Sequence, residues 1–146
     1  MSKRFTLDEA QGLIPEVDRL VREAVASKSQ FDEAERALQS FTERIMMLGG
    51  VLVDRARAFE VRNRRESAVS CLRNNIQRVQ EIGCVVKDLD VGLVDFPTLF
   101  RGEEVYLCWK LGERAIGFWH GVDEGFRGRK AIDQDFRDHH KGDSEQ

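Results

Sequence analysis

The period of the hydrophobic pattern changes once in this chain, at Gly83. Ahead of it apolar residues recur every three or four positions; after it they come in short alternating runs. A helical half followed by a strand-like half predicts an α+β fold. The arrangement expected is a long antiparallel helical hairpin or a three-helix bundle, followed by a small antiparallel β-unit. Residues 1–132 are expected to form one domain, helical over 5–83 and β-rich over 84–132. Residues 133–146 read as a polar, disordered tail.

The first helix opens at Thr6-Leu7-Asp8-Glu9. Thr6 can cap the amide three residues on, Glu9 can reach back in a capping box, and both acids suit the positive end of the helix dipole. Leu7, Ala10, Ile14, Val17, Val21 and Ala24 follow as a heptad-like stripe, with Pro15 inside it as a predicted kink or a displaced start. The phase breaks near Lys28 and resumes with Ala34, Leu38, Phe41, Ile45 and Leu48. Gly49-Gly50 is expected to cap and turn the chain. A further helical segment runs from about Val51 to Ile82, with Val69, Leu72, Ile76 and Val79 as its stripe and Gly83 ending it. Stripes this narrow bury little by themselves, so self-association, most simply as a homodimer, is expected.

Beyond Gly83, Cys84–Lys87 and Leu93–Phe96 read as strands around an Asp88–Gly92 turn, the second stopped by Pro97. Glu104–Trp109 and Arg114–His120 read as a β-hairpin. A three-residue Lys110-Leu111-Gly112 loop sets Glu104 opposite Phe118 and Tyr106 opposite Ile116, with Glu104 one diagonal step from His120. A loop one residue different sets Glu103 opposite His120. Both faces carry apolar residues: Val105, Leu107 and Trp109 on one, Tyr106, Ile116 and Phe118 on the other. Each face therefore needs a cover.

Chemistry-bearing residues concentrate in this β-rich region. His120 with Glu103, Glu104 or Asp88 could transfer protons, and these are the candidate catalytic groups. Asp88, Asp90, Asp95 and His120 are candidate ligands for a metal ion, although the spacing of the acids is not that of an EF-hand. Gly125-Phe126-Arg127-Gly128-Arg129 is a glycine-flanked cationic loop suited to a carboxylate or phosphate, without the pattern of a P-loop. A pocket for a small anionic ligand is expected from Lys87, Asp88, Arg101, His120 and Arg129, with Trp109 or Trp119 as an apolar wall. Cys84 and Cys108 sit in apolar surroundings and read as inert thiols.

Composition narrows the setting. There is no apolar run of about 18 residues to span a membrane, and Met1-Ser2-Lys3-Arg4-Phe5 lacks the apolar core of a signal peptide. Three cysteines without a C-x-x-C pair argue against a disulfide framework or a structural zinc site and for a reducing cytoplasm. Residues 84–146 carry 9 basic and 13 acidic side chains, against 14 and 13 in residues 1–83. Nucleic-acid binding is therefore not expected of the β-rich end; the Arg55–Arg65 stretch is interleaved with acids and reads as a solvated helix face.

Three segments together carry a resemblance: Gly83–Pro97, then Val105–Glu113 with Trp119-His120, then Gly125–Arg129. They resemble the prokaryotic domain-of-unknown-function family 2203. The resemblance implies a small bacterial or archaeal cytosolic protein and no particular activity. Arg127 stands where it would lead one to expect a small residue. The function expected is a dimeric, non-enzymatic binding or regulatory module for a small anionic ligand or a protein partner. The alternative is a small metal-assisted or acid–base enzyme, hydrolase-like, built on His120 and nearby carboxylates.

Overall fold

The computed structural model describes residues 3–47 and 54–143. In chain order the elements are α1 (Leu7–Met47), α2 (Arg55–Ile82), β1 (Val85–Asp88), β2 (Leu93–Phe100), β3 (Glu103–Lys110), β4 (Phe118–Gly121), a 3-10 turn (Phe126–Gly128), β5 (Lys130–Ala131), α3 (Gln134–His139) and β6 (His140–Lys141). This is an α+β fold: two long helices, then a small antiparallel sheet.

Local chemistry sets the helix ends. The Thr6 amide donates to Glu9 Oε1 at 2.9 Å, and the Glu9 amide donates to Thr6 Oγ1 at 3.1 Å, which is the reciprocal capping box. A third donor at this end, the Leu7 amide, bonds His140 Nε2 at 2.9 Å. α1 then runs through Pro15 without a new start, and through the Lys28 phase break as one helix. Of the two helical arrangements expected, the described residues form the hairpin type. The expected Gly49-Gly50 turn, Leu48 and the Val51 start lie outside the described residues. At the far end of α2, Gly83 adopts φ 113°, its amide bonds the Gln80 carbonyl, and the Cys84 amide bonds that of Val79. Those paired bonds are the Schellman motif, which a residue with a Cβ would strain.

The chain forms two compact units, Met1–Arg22 with Ile76–Gln146, and Glu23–Asn75. In the first, the strands lie in the order β1-β2-β3-β4-β5, and β6 pairs with β2 on the same side as β1. β1 meets β2 at Leu93, Val94 and Asp95, while β6 meets it at Leu99 and Phe100. Pro97 falls in the gap between these two neighbours, where the strand needs no amide hydrogen. The Pro97 carbonyl accepts the Phe5 amide there at 2.7 Å. β2 therefore continues to Phe100 instead of stopping at Pro97 as expected.

The β3–β4 register also differs from both expected hairpins. Cys108 pairs with Phe118, Leu107 with Trp119 and Tyr106 with His120. The connection is wider because its residues bond elsewhere. Glu113 accepts the Lys110 amide at 2.7 Å and the Trp109 indole N–H at 2.9 Å, and Ile116 donates to Gln11 Oε1 at 2.8 Å. Relative to the register of the three-residue loop the pairing shifts by an even number of residues, so each side chain keeps the face expected from that register. One face carries Val94, Phe96, Leu107, Trp109 and Trp119. It is the main core, with Phe5 edge-on to Phe96 at 5.6 Å.

Residues 133–143 are folded, contrary to the expectation of a disordered tail from 133. Asp133 caps α3 by accepting the Phe136 amide, and Phe136 is fully buried, stacked on Trp119 and Phe100. A single apolar residue in a polar run is weak as a pattern but anchors well when two aromatic rings are waiting.

In the second unit α1 and α2 pack side by side. Ala34, Val61 and Ala68 are buried, and Arg65 reaches Glu35 on the other helix at 2.9 Å. No described helix is long and apolar enough to cross a membrane.

Candidate functional site

The opposite face of the sheet holds a different set of side chains. Asp95 pairs with Cys108, which pairs with Phe118; Pro97 pairs with Tyr106, which pairs with His120. Paired strand residues share a face, so all six project the same way. Asp95 and His120 stand two strands apart and meet over β3, between Cys108 and Tyr106. Asp95 Oδ2 lies 3.0 Å from His120 Nε2, and the two residues are 0% and 3% exposed. The carboxylate that meets His120 is thus Asp95, and neither Glu103 nor Glu104. Glu104 pairs instead with Arg4 at 3.1 Å, and Glu103 sits opposite Phe100 at the β2–β3 turn.

The second imidazole nitrogen fixes the proton count. His120 Nδ1 lies 2.8 Å from the Gly121 carbonyl, which can only accept, so Nδ1 carries a hydrogen. Nε2 and Oδ2 can then approach to 3.0 Å only with one proton between them, on the nitrogen or on the oxygen. In either form the pair has no net charge. Burial raises the Asp95 carboxyl above its ordinary range, while His120, the Lys87 charge and the Cys108 thiol pull it back. Its other oxygen, Oδ1, is buried and has no hydrogen-bond partner among the described residues.

Cys108 completes a cluster. One ligand atom each from Asp95, Cys108 and His120 lie within 4.8 Å of one another, and all three residues are buried. Burial, followed by the Asp95 charge, pushes the Cys108 thiol up to about 11, against the pull of Arg129. It is therefore a thiol at neutral pH and not an activated nucleophile. Arg129 Nη1 stands 4.0 Å from Cys108 Sγ, and its fork holds Glu113 by two bonds of 3.3 and 3.0 Å. The guanidinium lies over Phe118 at 3.9 Å and Phe126 at 4.3 Å. On the other flank, Lys87 Nζ sits 4.9 Å from the Tyr106 ring centre, which is 5.5 Å from that of His120.

Of the residues singled out from sequence, the structure gathers His120, Asp95, Lys87 and Arg129 around one centre. Asp88 instead accepts the Asp90 amide at 2.9 Å, closing the β1–β2 turn, and neither acid belongs to the three-donor cluster. Arg101 sits at the β2–β3 turn, ion-paired with Asp135 and lying over Phe100. Trp109 and Trp119 face the main core, not this centre. Two participants carry no signal of their own in the sequence. Cys108 reads as an inert apolar thiol, and its place directly opposite Asp95 is visible only once the strands are paired. Glu113, which holds Arg129, lies in a connection longer than the expected three residues.

A buried Asp–His pair with a thiol beside it, on one face of a small antiparallel sheet, makes this an α+β protein with a polar centre in its sheet unit. The chain belongs to the family of uncharacterized conserved proteins DUF2203, whose match covers residues 3–132. No curated protein matches it, and neither does any solved structure.

Proposed function

We propose that this protein is a non-enzymatic binding module with a regulatory role, and that Asp95, Cys108 and His120 take up a zinc-type divalent cation. The observation that carries this reading is the convergence of three different donor atoms within 4.8 Å in a buried site. Oxygen, imidazole nitrogen and thiolate are the donors that zinc accepts together. Ligands of a tetrahedral zinc lie roughly 3.5 Å apart at ordinary bond lengths, so shifts of about 1 Å make the site, with Asp95 and His120 opening slightly from 3.0 Å and the wider separations within 4.8 Å closing. The Nδ1–H bond to Gly121 is the orienting contact that a metal-bound histidine usually has. Asp95 Oδ1, unpaired, is a further donor.

Charge supports the same reading. A divalent cation would replace two protons, the one shared by Asp95 and His120 and the one on Cys108. The centre stays neutral, so Arg129 and Lys87 do not oppose it. Arg129 already holds Glu113, which leaves the anionic-ligand reading with less support than the cation. A metal-assisted hydrolase needs a coordination position that substrate can reach; at 0–3% exposure Asp95 and His120 suit holding an ion more than turnover.

Cobalt(II) tests the proposal, because thiolate ligation gives it an intense near-ultraviolet band. One equivalent should bind, with that band present in the wild type and absent in Cys108→Ser. A spectrum that Cys108→Ser leaves unchanged, or no bound cobalt at mildly alkaline pH, would sink it.

A further inference from the structure

The helical arm, Glu23–Asn75, presents a face of its own. A cleft of about 520 Å³ runs between its helices, lined by Gln30, Glu33, Ala34 and Ala37 of α1 and by Arg57, Val61 and Arg64 of α2. Its floor is made of small or buried apolar residues, and its two rims differ in sign. From 23 to 47 the arm carries 5 acidic and 3 basic side chains; from 54 to 75 it carries 3 acidic and 6 basic. Among the described residues, neither Arg57 nor Arg64 has a carboxylate partner for its guanidinium, while neighbouring Arg65 is paired with both Glu35 and Glu66.

We propose that this face is where two copies of the chain associate, α1 of each copy lying along α2 of the other. A twofold axis running along the arm, between its helices, produces that arrangement. It sets Glu33 of one copy against Arg57 and Arg64 of its mate, and does so twice. A face acidic on one helix and basic on the other complements itself under this axis and under no axis that stacks α1 on α1. Ala34 and Ala37 let the opposing helix come close, giving a four-helix layer with a continuous apolar seam. Size agrees. Twenty residues of paired helix span about 30 Å by 20 Å, on the order of 600 Å² per copy, near the roughly 800 Å² per partner of a standard interface. The surface shares no residue with the Asp95–Cys108–His120 centre, so neither inference depends on the other.

Charge reversal of the full-length chain tests it. By light scattering at micromolar concentration the wild type should have twice the 16.8 kDa chain mass. Arg57→Glu/Arg64→Glu should raise the dimer dissociation constant about tenfold or more, by setting like charges opposite one another, and Glu33→Arg should do the same. Mixing the two variants should restore association, as should combining all three substitutions in one chain. That rescue separates a lost contact from a misfolded arm. A wild type that stays monomeric, leaving the cleft to some other occupant, overturns the proposal. So does a dimer indifferent to both reversals, or reversals that neither mixing nor combination rescues.

Discussion

The sheet unit and the helical arm handle polarity in opposite ways. Beneath the sheet's outer face, Asp95 and His120 are almost wholly enclosed, while the arm leaves Met46, Met47 and Phe59 in the open. In the sheet unit the buried Asp95–His120 pair is held by several strands at once. β2 supplies Asp95, β3 supplies Cys108, β4 supplies His120, and the Gly121 carbonyl fixes the imidazole. In the arm two helices share one narrow seam, and their charges point outward. Enclosing an ionisable pair is tolerable only where many backbone segments converge to satisfy it. Among the described residues the arm encloses only the small neutral polar side chains Ser27 and Asn75, whereas the five-strand path encloses an acid and an imidazole.

Substitutions can sharpen or break this contrast. The largest effect belongs to the core of the sheet unit. Trp109→Ala removes a fully buried ring and its bond to the Glu113 carbonyl, and should cost about 3–5 kcal/mol in urea unfolding. Next comes the pH dependence of the centre. Because the Cys108 thiol sits at about 11, metal binding must displace its proton across the whole neutral range. Together with the proton shared by Asp95 and His120, this should make zinc affinity rise about a hundredfold per pH unit, or about 2.7 kcal/mol. Calorimetry in buffers of different ionisation heat should count two protons released.

A smaller and more diagnostic effect separates two changes at one position. Asp95→Ala strands the His120 ring nitrogen in a dry site and should cost about 1–3 kcal/mol. Asp95→Asn keeps the shape and offers an amide N–H to Nε2, so most of that loss should be absent. Equal losses in the two variants would mean that the pair does not hold its single proton as inferred. The smallest effect is expected on the arm. Arg62→Ala, on an exposed turn of α2, should shift stability by no more than about 0.5 kcal/mol. A larger shift would mean that the arm is more tightly built than the contrast allows.

What could be foreseen follows the range of the interactions involved. The Thr6–Glu9 box and the Gly83 cap depend on residues within five positions of each other, and both stand as the sequence implies. The side-chain alternation along β3 is equally local, and it holds even though the β4 register does not. The register depends on Gln11 taking the Ile116 amide from more than a hundred residues away, which no turn rule anticipates. The partner of His120 is misassigned for a related reason. Glu103 and Glu104 are neighbours in the expected hairpin, whereas Asp95 reaches His120 across an intervening strand. The Pro97 stop fails because a proline breaks only a ladder that needs its hydrogen, and here β1 and β6 leave that place open.

Where the described chain starts and where it finishes, the two stretches are knitted together. The Arg4 amide donates to Asp143 Oδ2 at 2.9 Å and the Asp143 amide to the Arg4 carbonyl at 3.1 Å. A Cβ on Gly142 would come within 2.8 Å of the Thr6 nitrogen and the Phe5 carbonyl carbon, so only glycine lets the strands close at this point. The path from Arg4 to Asp143 is in effect a loop drawn shut. Joined by a short linker there and reopened at the exposed Arg101-Gly102 turn, the polypeptide should keep the strand pairings of the sheet in a new order of synthesis. Anything fused ahead of Arg4 and anything fused beyond Asp143 leave from the same spot, side by side.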